Sequence, residues 1–242
     1  MLDLVLPHIP FTESFVEVFA GGMSVGLAVA ARGTRVWAYD IDRSLACFWH
    51  YQSTDPQGLR QTVEELMPDA VERYDDLRDS LETGPFGIDL AAAAFVISRL
   101  SFAAMGAASS AAPHRSRLNH AALRLLDQTD MAGVTVQQAD FHDVIPRHRH
   151  DFLYLDPPYL MEGGPANNRL YGRNGCDHQN FDHDGLFDLL KDRGAWLLSY
   201  GEHPTIREMY RDFPVVEHLL RSSAHGSRER VELLIFPRSH GA

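Results

Sequence analysis

Phe152-Leu153-Tyr154-Leu155-Asp156-Pro157-Pro158-Tyr159 is the stretch on which the reading of this chain turns. Its first four residues are an apolar run of strand length, and a Pro-Pro pair closes it. The run predicts a buried strand that stops in a stiff turn. Open α/β sheets place their ligand sites at the carboxyl ends of strands, which is where Asp156 falls. Each proline fixes φ and lacks an N–H, so the turn presents carbonyl oxygens. Tyr159 adds an aromatic face. A carboxylate, a carbonyl and a ring suit a flat molecule carrying an exocyclic amine. The amine donates two hydrogen bonds to the oxygens while the ring stacks on it. Its nitrogen lone pair then becomes available to attack an electrophilic methyl group. In this reading the Tyr159 ring carries the function and its hydroxyl has no role. A Pro-Pro turn beside a surface tyrosine would be spelled the same way, so the stretch needs support from the rest of the chain.

Working upstream, Phe15 to Phe19 predicts a first strand, Ala20-Gly21-Gly22-Met23-Ser24 a glycine turn, and Val25 to Ala31 a helix. Thr34 to Tyr39 predicts a second strand, followed by Asp40-Ile41-Asp42 and a helix through about His50. This is a β-α-β unit of the nucleotide-binding kind. Residues 54–130 break the alternation with acidic-faced helices and the small-residue stretch Ala103 to Pro113. They read as an insertion between two parts of one sheet, residues 1–53 and 131–242. The sheet resumes with Val134 to Gln137 and the Phe152 run. Met161 to Asn180 is a long polar stretch rich in Gly and Asn, of the kind that forms a mobile loop. Further predictions are a helix from Asp184, a strand Ala195 to Tyr200, a helix near Thr205 to Asp212, and an antiparallel pair, Val215 to Leu220 with Val231 to Phe236.

Composition sets the broad class. The chain has 242 residues, 45% hydrophobic and 23% charged, as in an ordinary globular protein. Its best apolar span, Leu90 to Ile97, is too short for a membrane helix, and there is no charged-then-apolar leader pattern. The two cysteines, Cys47 and Cys176, make no disulfide framework. A cytoplasmic, monomeric protein without a membrane partner is expected. The formal net charge of −11 argues against non-specific affinity for polyanions. Lys191 is the only lysine, so local cationic contacts fall to arginine.

The strand ends speak to a second ligand. The Gly21-Gly22 turn lets backbone approach a ligand closely, though it lacks the dinucleotide fingerprint spacing and a Walker lysine. Asp40, at the end of the second strand, is placed to take both hydroxyls of a ribose. Asp140-Phe141 follows the third strand, where a carboxylate suits an adenine amine and a ring suits the base. Three successive strand ends thus carry groups suited to one adenosine, and the fourth carries the amine-holding stretch.

In this order, Phe-Ala-Gly-Gly, Tyr-Asp-Ile-Asp, a helical insertion, Ala-Asp-Phe and Asp-Pro-Pro-Tyr, the chain resembles the Dam-type adenine-N6 DNA methyltransferases over most of its length. Leu6-Pro7-His8-Ile9-Pro10, Leu198-Ser199-Tyr200 and Glu232-Leu233-Leu234-Ile235 are similar as well. The resemblance implies an α/β fold with a Rossmann-like methyltransferase sheet, a helical target-recognition insertion and an antiparallel C-terminal hairpin. It implies S-adenosyl-L-methionine as cofactor and double-stranded DNA as substrate, with a cognate restriction enzyme or a phage-encoded system as the setting. Glu17 and the turn Phe19, Ala20, Gly21, Gly22 would hold the methionine end. Asp40 with Ile41 would serve the ribose side, and Asp140 with Phe141 the adenine ring. Asp156, Pro157, Pro158 and Tyr159 would hold and stack the flipped target base, with Asp156 also on the cofactor side.

Some features depart from that family. It usually opens with a glycine-rich Trp-and-Lys segment that closes over the cofactor, whereas this sequence begins at Met1-Leu2-Asp3. Either cofactor affinity is reduced or another part supplies the lid. Met23 stands where many members carry a further glycine. The stretch Arg99 to Gly106 usually carries polar residues but here is mostly apolar. Candidate DNA contacts are Arg99, Arg115, Arg117, Tyr171 and Arg173, with His114, Arg169, Arg221, Arg228 and Arg230 behind them. Five histidines near the site, His142, His148, His150, His178 and His183, match no zinc spacing, and Arg147 to His150 reads as a solvated loop. No metal is expected. Two other readings stay open: an RNA base-amine methyltransferase, and a non-catalytic DNA-associated protein that kept the fold.

Overall fold

The computed structural model describes residues 2–101, 117–160, 181–221 and 229–238. Arg115, Tyr171 and Arg173 lie outside them, as do His114, Arg169, Cys176, His178 and Arg228 and the stretches Ala103 to Pro113 and Met161 to Asn180.

A seven-stranded sheet organises the described residues: β1 Ser14–Glu17, β2 Arg35–Asp40, β3 Val134–Gln138, β4 Phe152–Leu155, β5 Trp196–Gly201, β6 Val215–Arg221 and β7 Glu229–Ile235. Their order across the sheet is β3-β2-β1-β4-β5-β7-β6. The first five run parallel, and β7 is antiparallel to both β5 and β6. The predicted strands are all present, with ends displaced by one or two residues. The strand order reverses between β1 and β4, and that is the topological switch point where such sheets open a crevice.

Side-chain alternation gives the parallel strands two buried faces. Phe15, Val36, Ala38, Val134, Val136, Tyr154 and Leu197 face one way. They pack on α1 Leu2–Val5, α2 Ser24–Ala30 and α3 Arg43–Thr54, through residues such as Val5, Val25, Val29 and Trp49. Val16, Leu153, Leu155, Trp196, Leu198 and Leu233 face the other way, with Val144, Leu186, Ile206 and Tyr210 from the far-side helices.

Between α3 and β3 the described residues form four helices, α4 Pro56–Leu66, α5 Tyr74–Thr83, α6 Ile88–Leu100 and α7 His120–Gln128. They build a hydrophobic cluster of their own with Cys47 of α3, and the apolar run Leu90 to Ile97 is its buried centre. Among the described residues, no helix is long and apolar enough to cross a membrane.

Three elements escape the sequence reading. A short helix and a 3-10 turn, Leu2–Val5 and Leu6–His8, precede β1. A helix, α8 Phe141–Arg147, joins β3 to β4, capped by the Asp140 carboxylate on the His142 amide at 2.8 Å. Pro146 lies inside it, a residue that argues against a helix. In the segment at the end of this helix, Arg147, Arg149 and His150 are exposed, as expected of a solvated loop, and His148 is the exception. His148 is pinned between the Tyr39 hydroxyl at 2.8 Å and Asp151 at 2.7 Å, and the Arg193 guanidinium donates to the Asp151 carbonyl at 2.6 Å. The chain then runs through α9 His183–Leu190 before β5 and α10 Pro204–Met209 after it.

Candidate active site

The carboxyl ends of β3, β2, β1 and β4 stand side by side and carry Asp140, Asp40, the Glu17 to Gly22 turn and Asp156 in that order. Backbone bonds tie the ends together: Ala139 N–H to the Asp40 carbonyl at 3.1 Å, Ala20 N–H to the Tyr39 carbonyl at 2.7 Å, and Val18 N–H to the Tyr154 carbonyl at 3.0 Å. Residues distant in sequence thereby share one rim.

The glycine turn is braced from two sides. Asp40 accepts from the Gly21 amide at 2.9 Å with one oxygen and from the Asp42 amide at 2.9 Å with the other. The Trp49 indole of α3 donates to the Gly21 carbonyl at 2.9 Å. Gly21 has φ +46°, and a side chain at either Gly21 or Gly22 would meet no atom closer than 3.9 Å. The rim of the turn is therefore open backbone. Met23 explains why relatives favour glycine there: its φ is 52°, left-handed, where a side chain costs about 1–2 kcal/mol. Its side chain is buried in the core, which offsets that cost.

Glu17 is buried at the end of β1 and accepts from the Gly26 amide of α2 at 2.9 Å. Burial holds its carboxyl well above the usual range; the Gly26 bond opposes this, and the charges of Asp156 and Asp40 reinforce it. Three acids thus crowd one crevice.

Asp140 lies at the helix cap, its Oδ1 also 2.7 Å from His142 Nδ1, while His142 Nε2 lies 3.1 Å from Asp182. Phe141 sits in a ring cluster, its centroid 5.8 Å from Phe19 and 5.2 Å from Phe181. Phe181 was missed because it follows the long polar stretch and carries no motif. Ile41 is largely solvent-exposed beside Asp40.

Asp156 follows β4, half-buried, with Pro157 buried behind it. Burial pushes its carboxyl up to about 6, a bond from Tyr159 opposes the rise, and the Glu232 charge adds to it. The Tyr159 hydroxyl corrects the sequence reading, which gave it no role. It lies 2.7 Å from Asp156 Oδ1, 2.6 Å from Glu232 Oε1 and 3.2 Å from Ser199 Oγ. Ser199 also donates to Glu232. One side of the Tyr159 ring rests on Gly201 and tilts against Tyr200, with centroids 5.5 Å apart. Sequence similarity had flagged the Ser199 and Glu232 segments without showing that they meet Tyr159.

A Cβ on Gly201 would fall 2.7 Å from Tyr159 Cδ2, so the ring fits only against a glycine. Gly201→Ala is expected to push Tyr159 off its partners and lower the rate of the methyl transfer proposed below by about tenfold or more, since small misplacements at reacting centres are costly. Steady-state kinetics with a thermal melt as folding control checks this; unchanged rates would show that the ring position is not needed.

Arg99 and Arg117 come together. Arg99 ends α6 with its guanidinium 5.0 Å from the centre of the Phe95 ring, and Arg117 reaches toward the Ser101 carbonyl at 3.5 Å. Burial and the Arg117 charge make the Arg99 guanidinium easier to deprotonate than usual. His183 is bonded to Tyr200, and among the described residues no cluster of His, Cys, Asp and Glu is arranged to hold a metal ion.

Residues 1–224 match the family of D12 class N6 adenine-specific DNA methyltransferases. The chain belongs to that family. The modification methylase StsI of Streptococcus sanguinis is 25% identical over 270 aligned residues, covering 95% of this chain. This chain spans 39% of the length of that relative.

Proposed function

We propose that this chain transfers a methyl group from S-adenosyl-L-methionine to the N6 amine of adenine in double-stranded DNA. Asp156 at the β1/β4 switch point, next to the acid-lined turn, is the observation that carries this reading. Family membership supports it. The name of the relative, a modification methylase, supports a modification role with a cognate restriction enzyme as counterpart.

The residues present fit the cofactor. The crowding of Glu17, Asp40 and Asp156 favours a cation, and the open Gly21-Gly22 backbone admits a ligand. Asp40, at the carboxyl end of β2 beside the glycine turn, suits a ribose diol. Asp140, Ile41 and the Phe141 ring cluster suit the adenine end. When bound, the cofactor supplies a methyl group on a cationic sulfur. The target base has to leave the duplex, because its amine cannot be reached in the stack. The Asp156 carboxylate and the Pro157 carbonyl then accept its two N–H groups and aim its lone pair. Catalysis is positioning and preorganised charge. Residues 54–130 are the target-recognition region in this reading, with Arg99 and Arg117 among its DNA contacts.

Parallel incubations of radiolabelled S-adenosylmethionine with mixed-sequence duplex DNA and with RNA, then nucleoside chromatography, test the proposal. Label in N6-methyladenine is expected. Label only in RNA, or none, would overturn it. Asp40→Ala is expected to weaken cofactor binding by one to two orders of magnitude, since charge-assisted bonds contribute about 1.5–3 kcal/mol each. Calorimetry reads this directly, and unchanged affinity would locate the cofactor elsewhere.

A further inference from the structure

Glu232 belongs to the last strand, β7, far in sequence from the Asp-Pro-Pro-Tyr stretch, yet it is buried at 4% exposure. Its Oε1 is 2.6 Å from the Tyr159 hydroxyl, which is itself 2.7 Å from Asp156 Oδ1. A phenol has one proton to donate. Two carboxylate oxygens at bonding distance from one phenol oxygen need a second proton between them. The Ser199 hydroxyl does not supply it to Asp156, because it donates to Glu232. Asp156, Tyr159 and Glu232 therefore form one hydrogen-bonded line in which the two carboxyls are coupled.

We propose that Glu232 is a positioning residue of methyl transfer, which through the Tyr159 hydroxyl fixes the Asp156 carboxylate and sets its titration. The proposal rests on the functional reading above for its consequence in catalysis, but not for the coupling itself. Transfer requires Asp156 as an acceptor, so protonation of the coupled pair switches the site off. The proton leaves to solvent as pH rises, and no other reactant is consumed. The other ionisable neighbours are Glu17 on β1, Tyr154 on β4, Tyr200 on β5 with His183 behind it, and His218, the cross-strand neighbour of Glu232 on β6. Of these described neighbours and Tyr159, it is Tyr159 that bonds to both Asp156 and Glu232.

Two measurements test the proposal. In the protein without cofactor, carbon-13 NMR of the carboxyl groups, with the Asp156 signal assigned from Asp156→Asn, should show Asp156 titrating in two coupled steps. Glu232→Gln should turn this into a single step displaced by about one pH unit to the acid side, because a neutral amide replaces a like charge. In turnover, the same variant should move the acid limb of the kcat/KM profile in the same direction, with KM for DNA unchanged. A single-step titration in the parent protein, or a profile for Glu232→Gln that superimposes on the parent, would overturn the proposal. Coupled titration without methyl transfer to any substrate would instead sink the functional reading and leave the coupling standing.

Discussion

Asp156→Ala is expected to all but abolish methyl transfer, lowering the single-turnover rate by about a hundredfold to a thousandfold, while the fold is largely kept and cofactor affinity falls far less. The carboxylate is the acceptor that aims the target amine, and loss of one preorganised group at a reacting centre costs about 10²–10³ in rate. The fold tolerates the change for a local reason. Asp156 accepts from Tyr159, and Tyr159 still has Glu232 at 2.6 Å and Ser199 at 3.2 Å when Asp156 is gone. No buried donor is stranded, and one member of an acid crowd is removed. Thermal melting, cofactor calorimetry and single-turnover methylation separate these effects. A folded Asp156→Ala protein that methylates at a near-normal rate would end the proposed mechanism.

Tyr159 yields the second large effect, and here sequence and structure give opposite expectations. Read from sequence, Tyr159→Phe should keep much of the activity because only the ring matters. The structure places the hydroxyl between two carboxyls, so Tyr159→Phe is expected to lower the rate by about tenfold to a hundredfold, as a lost bond to a charged group at a reacting centre does. It also removes the bond that holds the Asp156 carboxyl down, so the acid limb, near pH 6 in the parent, should move to higher pH. That is opposite in sign to the shift from Glu232→Gln. Tyr159→Ala should be worse still, by the about 1–3 kcal/mol that an aromatic ring contributes to stacking on a base. Kinetics on DNA containing the true target site, across pH, distinguishes the outcomes. If Tyr159→Phe matches the parent in rate and profile, the hydroxyl bridge is inert.

Much of this protein was legible in its sequence because the deciding signals are local. A strand announces itself by a short apolar run, and its end by Gly or Pro, all within a few residues. The Phe152 run, the Gly21-Gly22 turn and Asp40 could therefore be read directly, and their order along the chain indicated a parallel sheet. Local signals failed where two of them compete. Pro146 argues against a helix, yet a helix forms there because Asp140 caps it and Val144 and Ile145 are buried beneath it. Phe181 had no pattern at all; it matters because folding brings it against Phe19 and Phe141.

The sequence by itself determined the strands, the turns and the identity of the acids at the strand ends. Only the tertiary structure decided what those acids do to one another. Glu232 lies 73 residues from Tyr159. They meet because β7 pairs antiparallel with β5 in the register that sets Gly201 opposite Glu232, and because Gly201 has no side chain to hold the Tyr159 ring away. Period and propensity specify the face a side chain takes on its own strand. Register and strand order, fixed by burial of the whole sheet, specify which side chain it meets.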